Sequence, residues 1–567
     1  MTRSTILLAG CSLWVVACGG AVTPPASSAP AEADDELFVY DLVWDRADVE
    51  VPTVEVRFSL DLRFVEPAPE GVVLYFAPLE LADGDSSGTR FLAADAPGEV
   101  DAAEGRVRWP VIDGVARGRY RVTLEHARHD PVRGVDNVPH PTAGGWSVPG
   151  VALLPSIARL DDGRSLDGPA RLRTELPAGW SHRHSAGVDD ASRVESFAEL
   201  AFAIHTFGRY AVSVVERGES QVRLLSADYD ADALAPLRAL VDRALTTGEA
   251  LLGPLAGGAL TIVVDRVGEE YEGGLVGTQG VVLSGPDLGS LRANEMPGLI
   301  VVHELGHFWA RADEPWLNEG LARLLEIEMG TRLEDLDGPA ATAELRERID
   351  RYHALAGGSR RVADATVGAW PYEGGLAVLL CTEASLRAEG HSLLEVHREL
   401  RARDGLPVRV AAFRAALDAR VPGLGEQLDG WLTHEGPIPL APCLNGLGFD
   451  ARVVSTRVPT ARAIVVEILG ARGLDTDAMR ITAVAEGSAL REGDVILRLD
   501  DARVSTLDAL AWALRGRAPG GGFALHVRRE DAPVTLTLTM PELGEAGFRE
   551  VEAVDIEPGE ARGRLSR

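Results

Sequence analysis

The chain has 567 residues, a hydrophobic content of 46% and a formal net charge of −30 at pH 7. A chain of this length exceeds what one hydrophobic core supports, so three or four domains are expected. The strong negative charge argues against nucleic acid and against an anionic membrane face as partners, because phosphate groups would be repelled.

The amino terminus has Arg3, an apolar run over residues 6–17 and small residues around Cys18. About 20 apolar residues are needed to cross a bilayer, so residues 1–18 are predicted to be a secretory signal. The segment resembles a bacterial lipoprotein signal, which implies that Cys18 is lipidated and anchors the protein in the bacterial cell envelope, on the periplasmic face or the cell surface. A plain cleaved signal is the alternative. Cys11 fits the lipoprotein pattern less well, because it would leave an apolar region of only a few residues.

Residues 19–35 are rich in Ala, Pro and Ser and are predicted to form a flexible linker. From residue 36 to 187, short alternating runs such as residues 53–60 are separated by Asp, Gly and Pro. This alternation predicts an antiparallel β-domain, a sandwich of two sheets. His182 and His184 lie among Ser and Arg without an acidic partner, so they are predicted to lie in a solvated loop rather than to bind a metal.

Strand and helix patterns alternate over residues 196–295, with a helix predicted over 232–252 and a strand over 260–265. The next apolar segment carries His303, Glu304 and His307 in the order His-Glu-x-x-His. Residues four apart lie on one face of a helix, so both histidines can reach one metal ion at about 2.1 Å. Glu304 points beside that ion, where a general base for an attacking water belongs.

The residues that flank this motif are apolar on nearly all sides, which predicts a buried helix. Buried imidazoles and a buried carboxylate are costly unless a metal or a partner compensates them. The context therefore favours a metal-dependent hydrolase over the alternative, a helix with two satisfied histidines and one surface acid.

Catalytic zinc keeps three protein ligands and one open position. Residues 315–322 look like the start of a second helix, antiparallel to the first, and Glu319 within it is the predicted third ligand of one Zn²⁺ ion. Asp313 and Glu314 are rivals by distance. They lie in a polar turn, however, whereas Glu319 begins an apolar helix that must pack on the first.

The pattern His303-Glu304-x-x-His307 followed by Trp316-Leu-Asn-Glu319-Gly resembles the gluzincin metallopeptidases, in which the Glu of the Asn-Glu-Gly segment binds zinc. The layout of the whole chain is most similar to the glycyl aminopeptidase family. That resemblance implies a zinc metallopeptidase with a thermolysin-like catalytic domain, here residues 188–440, and a carboxy-terminal PDZ domain. Only eleven residues separate His307 from Glu319, fewer than is usual in those families, so a shorter connecting loop is expected.

The strand before the zinc-binding motif aligns with the edge strand on which the glycyl aminopeptidase family binds the substrate backbone. In that family Gly-Gly-Leu is followed by a Glu that anchors the free α-amino group of the substrate. Val276 stands at that position and cannot bind a cation, so aminopeptidase specificity is in doubt and an endopeptidase competes with it. The predicted substrate-binding residues are Gly273, Gly274, Leu275 and Val276. Three glutamates lie near enough to replace the missing anchor, although a solvated acidic loop is the simpler interpretation: Glu269, Glu270 and Glu272.

A further apolar helix opens with Tyr372-Glu373-Gly374. The segment is similar to one in aminopeptidase N and the glycyl aminopeptidases, where a tyrosine hydroxyl stabilises the oxyanion of the tetrahedral intermediate. The resemblance implies the same catalytic role for Tyr372, and a buried core tyrosine is the alternative. Beyond the signal only Cys381 and Cys443 remain, which form one disulfide in an oxidising envelope or stay as two buried thiols.

Residues 455–541 resemble a PDZ domain, with Gly487-Ser-Ala and Gly493-Asp in the matching part. Such domains bind a polypeptide end or an extended strand, using backbone amides of a loop, which is predicted here at Leu469 and Gly470. Residues 542–567 are acidic and lack periodicity, so a disordered tail is predicted.

The elements together predict a multidomain α+β protein: an antiparallel β-sandwich, a thermolysin-like catalytic domain with a mixed sheet and a helical lobe, and a PDZ domain. The predicted function is a membrane-anchored zinc metallopeptidase that acts on peptide or protein substrates. The alternative is a lipid-anchored binding protein with a vestigial catalytic domain, whose PDZ domain captures polypeptide ends. The complete ligand set favours the enzyme, while Val276 leaves room for the binding protein.

Overall fold

The computed structural model describes residues 37–44, 52–76, 99–101, 105–124, 139–186, 193–255, 259–266, 272–277, 280–284, 288, 291–293, 298–336, 338–355, 361–364, 370–476, 479–500, 502–504, 506–529 and 532–557. The predicted signal and linker, with Cys18, lie outside these ranges, as do Glu269 and Glu270. Across the described ranges, no helix has both the length and the apolar character that crossing a membrane requires. The described residues form two compact units, one ending at Trp309 and the other beginning at Ala310.

The first unit opens with strands that form a β-domain. Its strands and short helix are β1 Phe38–Trp44, β2 Thr53–Asp61, β3 Gly71–Tyr75, β4 Glu99–Asp101, β5 Arg106–Ile112, β6 Val115–Thr123, β7 His140–Thr142, β8 Gly145–Pro149, β9 Ile157–Leu160, β10 Ser165–Leu166, β11 Ala170–Glu175, β12 Ser181–His184, β13 Arg193–Val194, α1 Phe197–Ala201 and β14 Ile204–Gly208.

These strands form a ten-stranded sheet in the order β10-β9-β3-β5-β6-β2-β1-β11-β13, with β4 beside β5, and a four-stranded sheet in the order β12-β14-β8-β7. Every second residue of β1 is buried in a core to which both sheets and α1 contribute. The predicted N-terminal sheet domain is confirmed. Two details differ: β1 pairs with β11 in parallel, and β14 continues the β-structure beyond residue 187.

The prediction that His182 and His184 lie in a solvated loop is wrong. Both lie on β12, and because alternate strand residues share a face, their rings meet His205 and Phe207 of the paired strand β14. His182 Nε2 and His205 Nδ1 are 3.0 Å apart, and His205 Nε2 is 3.0 Å from the carbonyl oxygen of Leu200. The Ser and Arg residues that suggested a loop alternate with the histidines along the strand.

This histidine cluster should make the protein less stable in acid. Burial, and then the neighbouring His184, lowers the pKa of His205 to about 3, so below pH 6.5 the unfolded state binds a proton that the folded state does not. Stability therefore falls as the pH falls from 6.5 towards 3, by about 2 kcal/mol at pH 5 for this one group. Denaturant unfolding at pH 7 and pH 5 measures the loss. His205→Gln should reduce it, whereas His434→Gln at an exposed site should not.

The rest of the first unit is a five-stranded mixed sheet with two helices. They are β15 Ala211–Arg217, β16 Ser220–Ser226, α2 Ala235–Leu252, β17 Ala259–Asp265, β18 Glu272–Gly277, β19 Gly280–Ser284 and α3 Gly298–Trp309. The sheet order is β15-β16-β17-β19-β18, which leaves β18 at one edge. Trp309 fixes the end of α3: its Nε1 donates to the carbonyl oxygen of Gly253 at 2.9 Å, and its ring fills the space where a Cβ on Gly248 would stand.

The second unit begins with a helical lobe. Its helices are α4 Pro315–Leu333, α5 Gly338–Leu355, α6 Trp370–Ala388, α7 Leu393–Asp404, α8 Val410–Asp418, α9 Leu424–Leu432 and α10 Leu440–Gly446. The structure decides between the two alternatives for the cysteines, because Cys381 of α6 and Cys443 of α10 form a disulfide. The bond joins two helices through cysteines that are 62 residues apart in sequence.

The second unit ends in a small β-domain. Its elements are β20 Asp450–Pro459, β21 Ala471–Asp475, β22 Arg480–Val484, β23 Val495–Leu499, β24 Ala502–Arg503, α11 Leu507–Ala513, β25 Gly522–Arg529, β26 Ala532–Thr539 and β27 Phe548–Glu557. The prediction of a disordered tail is wrong for residues 548–557, because β27 pairs with β20 along its whole length. The acidity that suggested disorder is offset by arginine: Arg452 of β20 lies 3.0 Å from both Asp555 and Glu557.

Candidate metal centre and active site

Helix α3 carries the His-Glu-x-x-His residues on a buried segment. Nearly all residues of α3 are buried, whichever face of the helix they lie on. Only 6% of the surface of His303 and 8% of the surface of His307 is exposed. The two rings are one helical turn apart, with centroids separated by 4.9 Å and planes perpendicular. Glu304 is buried beside them. The i, i+4 spacing therefore presents two imidazoles to one point, as the sequence predicts.

Glu319 joins the two histidines. One donor atom from each of His303, His307 and Glu319 lies within 4.8 Å of the others, and all three residues are buried. Among the residues that the structure describes, no other group of three His, Cys, Asp or Glu side chains meets this condition. Two imidazole nitrogens and one carboxylate oxygen form a donor set of catalytic zinc, so the residues present fit a zinc ion.

The rival ligands are placed elsewhere. Asp313 and Glu314 are both exposed, in the turn before α4. An oxygen of Asp313 accepts a hydrogen bond from the backbone N–H of Val410 at 2.9 Å, so this carboxylate caps the start of α8. Only Glu319 combines burial with proximity to the histidines.

Asn318 connects the turn after α3 to Glu319. Its Oδ1 accepts a hydrogen bond from the backbone N–H of Ala312 at 3.1 Å, and its Nδ2 donates to Glu319 Oε1 at 3.2 Å. The side-chain amide of Asn318 thus holds the backbone that leads into α4 and also orients the carboxylate of Glu319. No role is predicted for Asn318 from the sequence, although its place beside the predicted ligand is a signal for one.

Replacing Asn318 by Ala should weaken zinc binding by about 10- to 100-fold, because partners that orient a metal ligand contribute affinity of this size. Competition with a chromogenic zinc chelator measures the dissociation constant. Asn445→Ala is a matched control, since Asn445 also bonds to its local backbone but lies in α10. Equal zinc affinity in the wild type and Asn318→Ala would contradict an orienting role.

Tyr372 lies in the first turn of α6, beside the part of α4 that carries Glu319. The two helices cross at glycines: a Cβ on Gly375 would stand 2.1 Å from the carbonyl oxygen of Trp316, and one on Gly320 would stand 2.7 Å from the backbone of Gly375. This close approach brings Tyr372, one turn before Gly375, near the segment that starts at Glu319. Tyr372 is only partly buried, so it is not a fully enclosed core tyrosine.

Two features near Tyr372 were not identified from the sequence. One is the glycine contact between α4 and α6, for which a small residue in each helix was the available signal. The other is Arg323, whose guanidinium carbon lies 5.4 Å from the centroid of the Tyr372 ring. No feature of the local sequence distinguishes Arg323 from the many surface arginines, because Tyr372, the residue it lies against, is far along the chain.

The predicted substrate-binding residues lie on the edge strand β18. Leu275 and Val276 pair with Val282 and Val281 of β19 in antiparallel register, and Gly273 stands at a bulge between Glu272 and Gly274. An edge strand offers backbone groups to an extended peptide, which is what the predicted role needs. Their contact with substrate stays a prediction.

The predicted peptide loop of the C-terminal β-domain is a turn stabilised by backbone bonds. Gly470 has a φ of +62°, which favours glycine, and its carbonyl oxygen accepts a hydrogen bond from Ala485 N–H at 2.9 Å. The N–H of Leu469 donates to the carbonyl oxygen of Ile464 at 2.9 Å. The role of Leu469 and Gly470 in binding a polypeptide end stays a prediction.

Comparison with known proteins identifies the C-terminal module and the overall fold. Residues 469–540 match the family model of the PDZ domain. No curated protein sequence matches the chain. Among solved structures, a protein of the aminopeptidase N family from Idiomarina loihiensis is similar over 94% of this chain and 100% of its own, with a TM-score of 0.60 and 14% identity.

Two structures of an M1 zinc metallopeptidase from Deinococcus radiodurans each match over 71% of this chain and 95% of their own, at 15% identity. One has a TM-score of 0.47, and the other, a mutant bound to a Tyr-Ser-Ala substrate, has a TM-score of 0.48. The likeness to the Idiomarina protein concerns the fold. The chain is thus a multidomain α+β protein with an N-terminal sheet domain, a helical lobe and a C-terminal PDZ domain, built like a member of the aminopeptidase N family.

Proposed function

We propose that this protein is a zinc metallopeptidase in which His303, His307 and Glu319 hold one Zn²⁺ ion. The observation that carries the proposal is the convergence of these three buried donors, with Glu304 buried on the same helix as the two histidines. The similarity in fold to the aminopeptidase N family protein from Idiomarina loihiensis supports it.

In the proposed reaction a zinc ion would act as a Lewis acid and make a water molecule nucleophilic near neutral pH. Glu304, adjacent in sequence to His303, accepts a proton from the attacking water on its carboxylate. It then delivers that proton to the nitrogen of the leaving amine. Tyr372 donates a hydrogen bond to the oxyanion that forms when water adds to the peptide carbonyl.

The direct test is metal analysis combined with hydrolysis of an unstructured polypeptide. Protein purified without chelator should carry about one zinc ion per chain, should lose hydrolysis on treatment with a chelator, and should regain it when zinc is restored. Protein that carries no zinc and hydrolyses nothing would instead favour the alternative, a vestigial enzyme whose PDZ domain captures polypeptide ends. The PDZ match over residues 469–540 supports that second candidate.

The substrate specificity of the proposed enzyme depends on the edge strand β18. Val276 lacks a charge for the α-amino group of a substrate, so we infer that the enzyme does not depend on a free amino terminus. One peptide, prepared with a free and with an acetylated amino terminus, tests this directly. Similar cleavage of both forms, at an internal bond, is expected. Cleavage of the free form alone, one residue at a time, would establish an aminopeptidase.

We further propose that Cys18 is lipidated and tethers the enzyme in the bacterial cell envelope. The disulfide between Cys381 and Cys443 supports export, because such bonds persist in oxidising compartments. Wild-type protein should fractionate with membranes and incorporate labelled fatty acid, and Cys18→Ser should do neither. Cys11→Ser should behave as wild type, and the opposite result would move the lipid to Cys11.

A further inference from the structure

Arg323 is a largely buried cation near the proposed active site. It lies on α4 one turn after Glu319, and only 14% of its side chain is exposed. Its Nη1 donates to the carboxylate of Glu326, and its Nη2 lies 3.5 Å from Glu373 of α6. Burial alone lowers the pKa of Arg323, but the carboxylates of Glu326 and Glu373 outweigh burial, so the side chain stays charged.

The carboxylates around Arg323 are themselves held in place. Glu326 is fully buried and lies 2.7 Å from Arg348 of α5, which is 1% exposed. Arg348 also bonds to Glu344 at 3.0 Å on its own helix. Three helices therefore contribute to one ion-pair cluster, and a guanidinium with partners on two sides has little freedom to move.

The same guanidinium lies against Tyr372, with its central carbon 5.4 Å from the ring centroid. A cation within about 6 Å of an aromatic centroid is attracted to the ring. Glu373, the residue that follows Tyr372, is also a partner of Arg323. Arg323 thus lies against the Tyr372 ring and beside the side-chain carboxylate of the next residue, both in the first turn of α6.

We propose that Arg323 is a positioning residue that holds the Tyr372 ring where its hydroxyl can meet the oxyanion. The inference rests on the proposed function of Tyr372 and extends it to a residue that does not touch the substrate. This role of Arg323 differs from that of a purely stabilising ion pair, because the position of the Tyr372 ring affects the reaction only when the oxyanion forms. Loss of Arg323 should therefore affect kcat more than KM.

The test compares Arg323→Met with wild type in peptide hydrolysis by the zinc-loaded protein. We expect kcat to fall about tenfold, which corresponds to a desolvated cation–π contact, with KM and zinc content unchanged. In a Tyr372→Phe background, which lacks the hydroxyl, adding Arg323→Met should lower kcat no further. Fold losses that multiply in the double variant, or a rise in KM that accounts for the whole effect, would overturn the proposal.

Arg332→Met is the matched control. It removes an ion pair of α4 as well, since Arg332 lies 2.6 Å from Glu328, but it lies more than two turns beyond Arg323. Its kcat should equal that of the wild type. If Arg323→Met does not fold, Arg323→Lys decides: it keeps the buried charge but lacks the planar fork that reaches two carboxylates. A lower kcat with unchanged KM supports the proposal, and a wild-type kcat contradicts it.

The two levels of the proposal can fail separately. Wild-type protein that carries no zinc and hydrolyses no polypeptide would remove the proposed function itself. A large loss of kcat in Tyr372→Phe with none in Arg323→Met would leave the function intact and remove only the role of Arg323.

Discussion

Replacing Glu304 by Gln should lower kcat for peptide hydrolysis by about 10²- to 10⁴-fold while the protein keeps its zinc. Glutamine has nearly the shape of glutamate, so it can occupy the same buried place on α3, but it cannot accept the proton of the attacking water. Glu304 is not among the three converging donors, and its loss should not release the ion. Steady-state kinetics and metal analysis of the same preparation give both quantities.

Glu314→Gln provides the control for this experiment, since Glu314 is an exposed carboxylate a short distance along the chain. It should match the wild type in kcat and in zinc content. Hydrolysis by Glu304→Gln at the wild-type rate would show that another group accepts the proton. Loss of zinc from Glu304→Gln would instead show that Glu304 holds the ion.

Replacing Glu319 by Gln should largely abolish zinc binding at neutral pH. It removes one of three protein ligands and with it the negative charge that attracts the cation. The loss of affinity should exceed the 10- to 100-fold that removal of an orienting partner costs. Zinc content after gel filtration and competition with a chelator measure the change, and hydrolysis should disappear with the metal.

Asp313→Asn tests the same assignment from the other side, since Asp313 was the competing ligand. Its carboxylate caps α8 through Val410 in the structure, so its replacement should affect stability slightly and zinc affinity not at all. Zinc loss in Asp313→Asn together with zinc retention in Glu319→Gln would reverse the assignment.

Much of the metal site follows from local geometry. The spacing of His303 and His307 requires only that the segment be helical, and its apolar composition favours burial, as α3 shows. The PDZ domain was recognisable because its glycine turns and strands are consecutive in sequence, and this prediction is confirmed. The α+β organisation and the N-terminal sheet domain were predictable for a similar reason, because alternation within each strand is a local signal. Both predictions are confirmed.

Predictions from local polarity failed where the partner is distant. The acidic residues of β27 suggested disorder, but β20, some 100 residues earlier, pairs with their backbone, and its Arg452 offsets the charge of Asp555 and Glu557. His182 and His184 suggested a loop, but β14 supplies ring surfaces against which both pack. The sequence did not predict the parallel pairing of β1 and β11 either, since side chains alternate with the same period in parallel and in antiparallel strands.

The sequence by itself determined that two histidines and a glutamate share one helix, because a helical turn fixes where residues four apart must point. Only the tertiary structure decided which carboxylate joins them, whether Cys381 and Cys443 bond, and that Arg323 lies against Tyr372. All three features depend on how separate helices meet. Long-range packing, such as the glycine contact between α4 and α6, sets how the helices meet, whereas the spacing of residues along one segment does not.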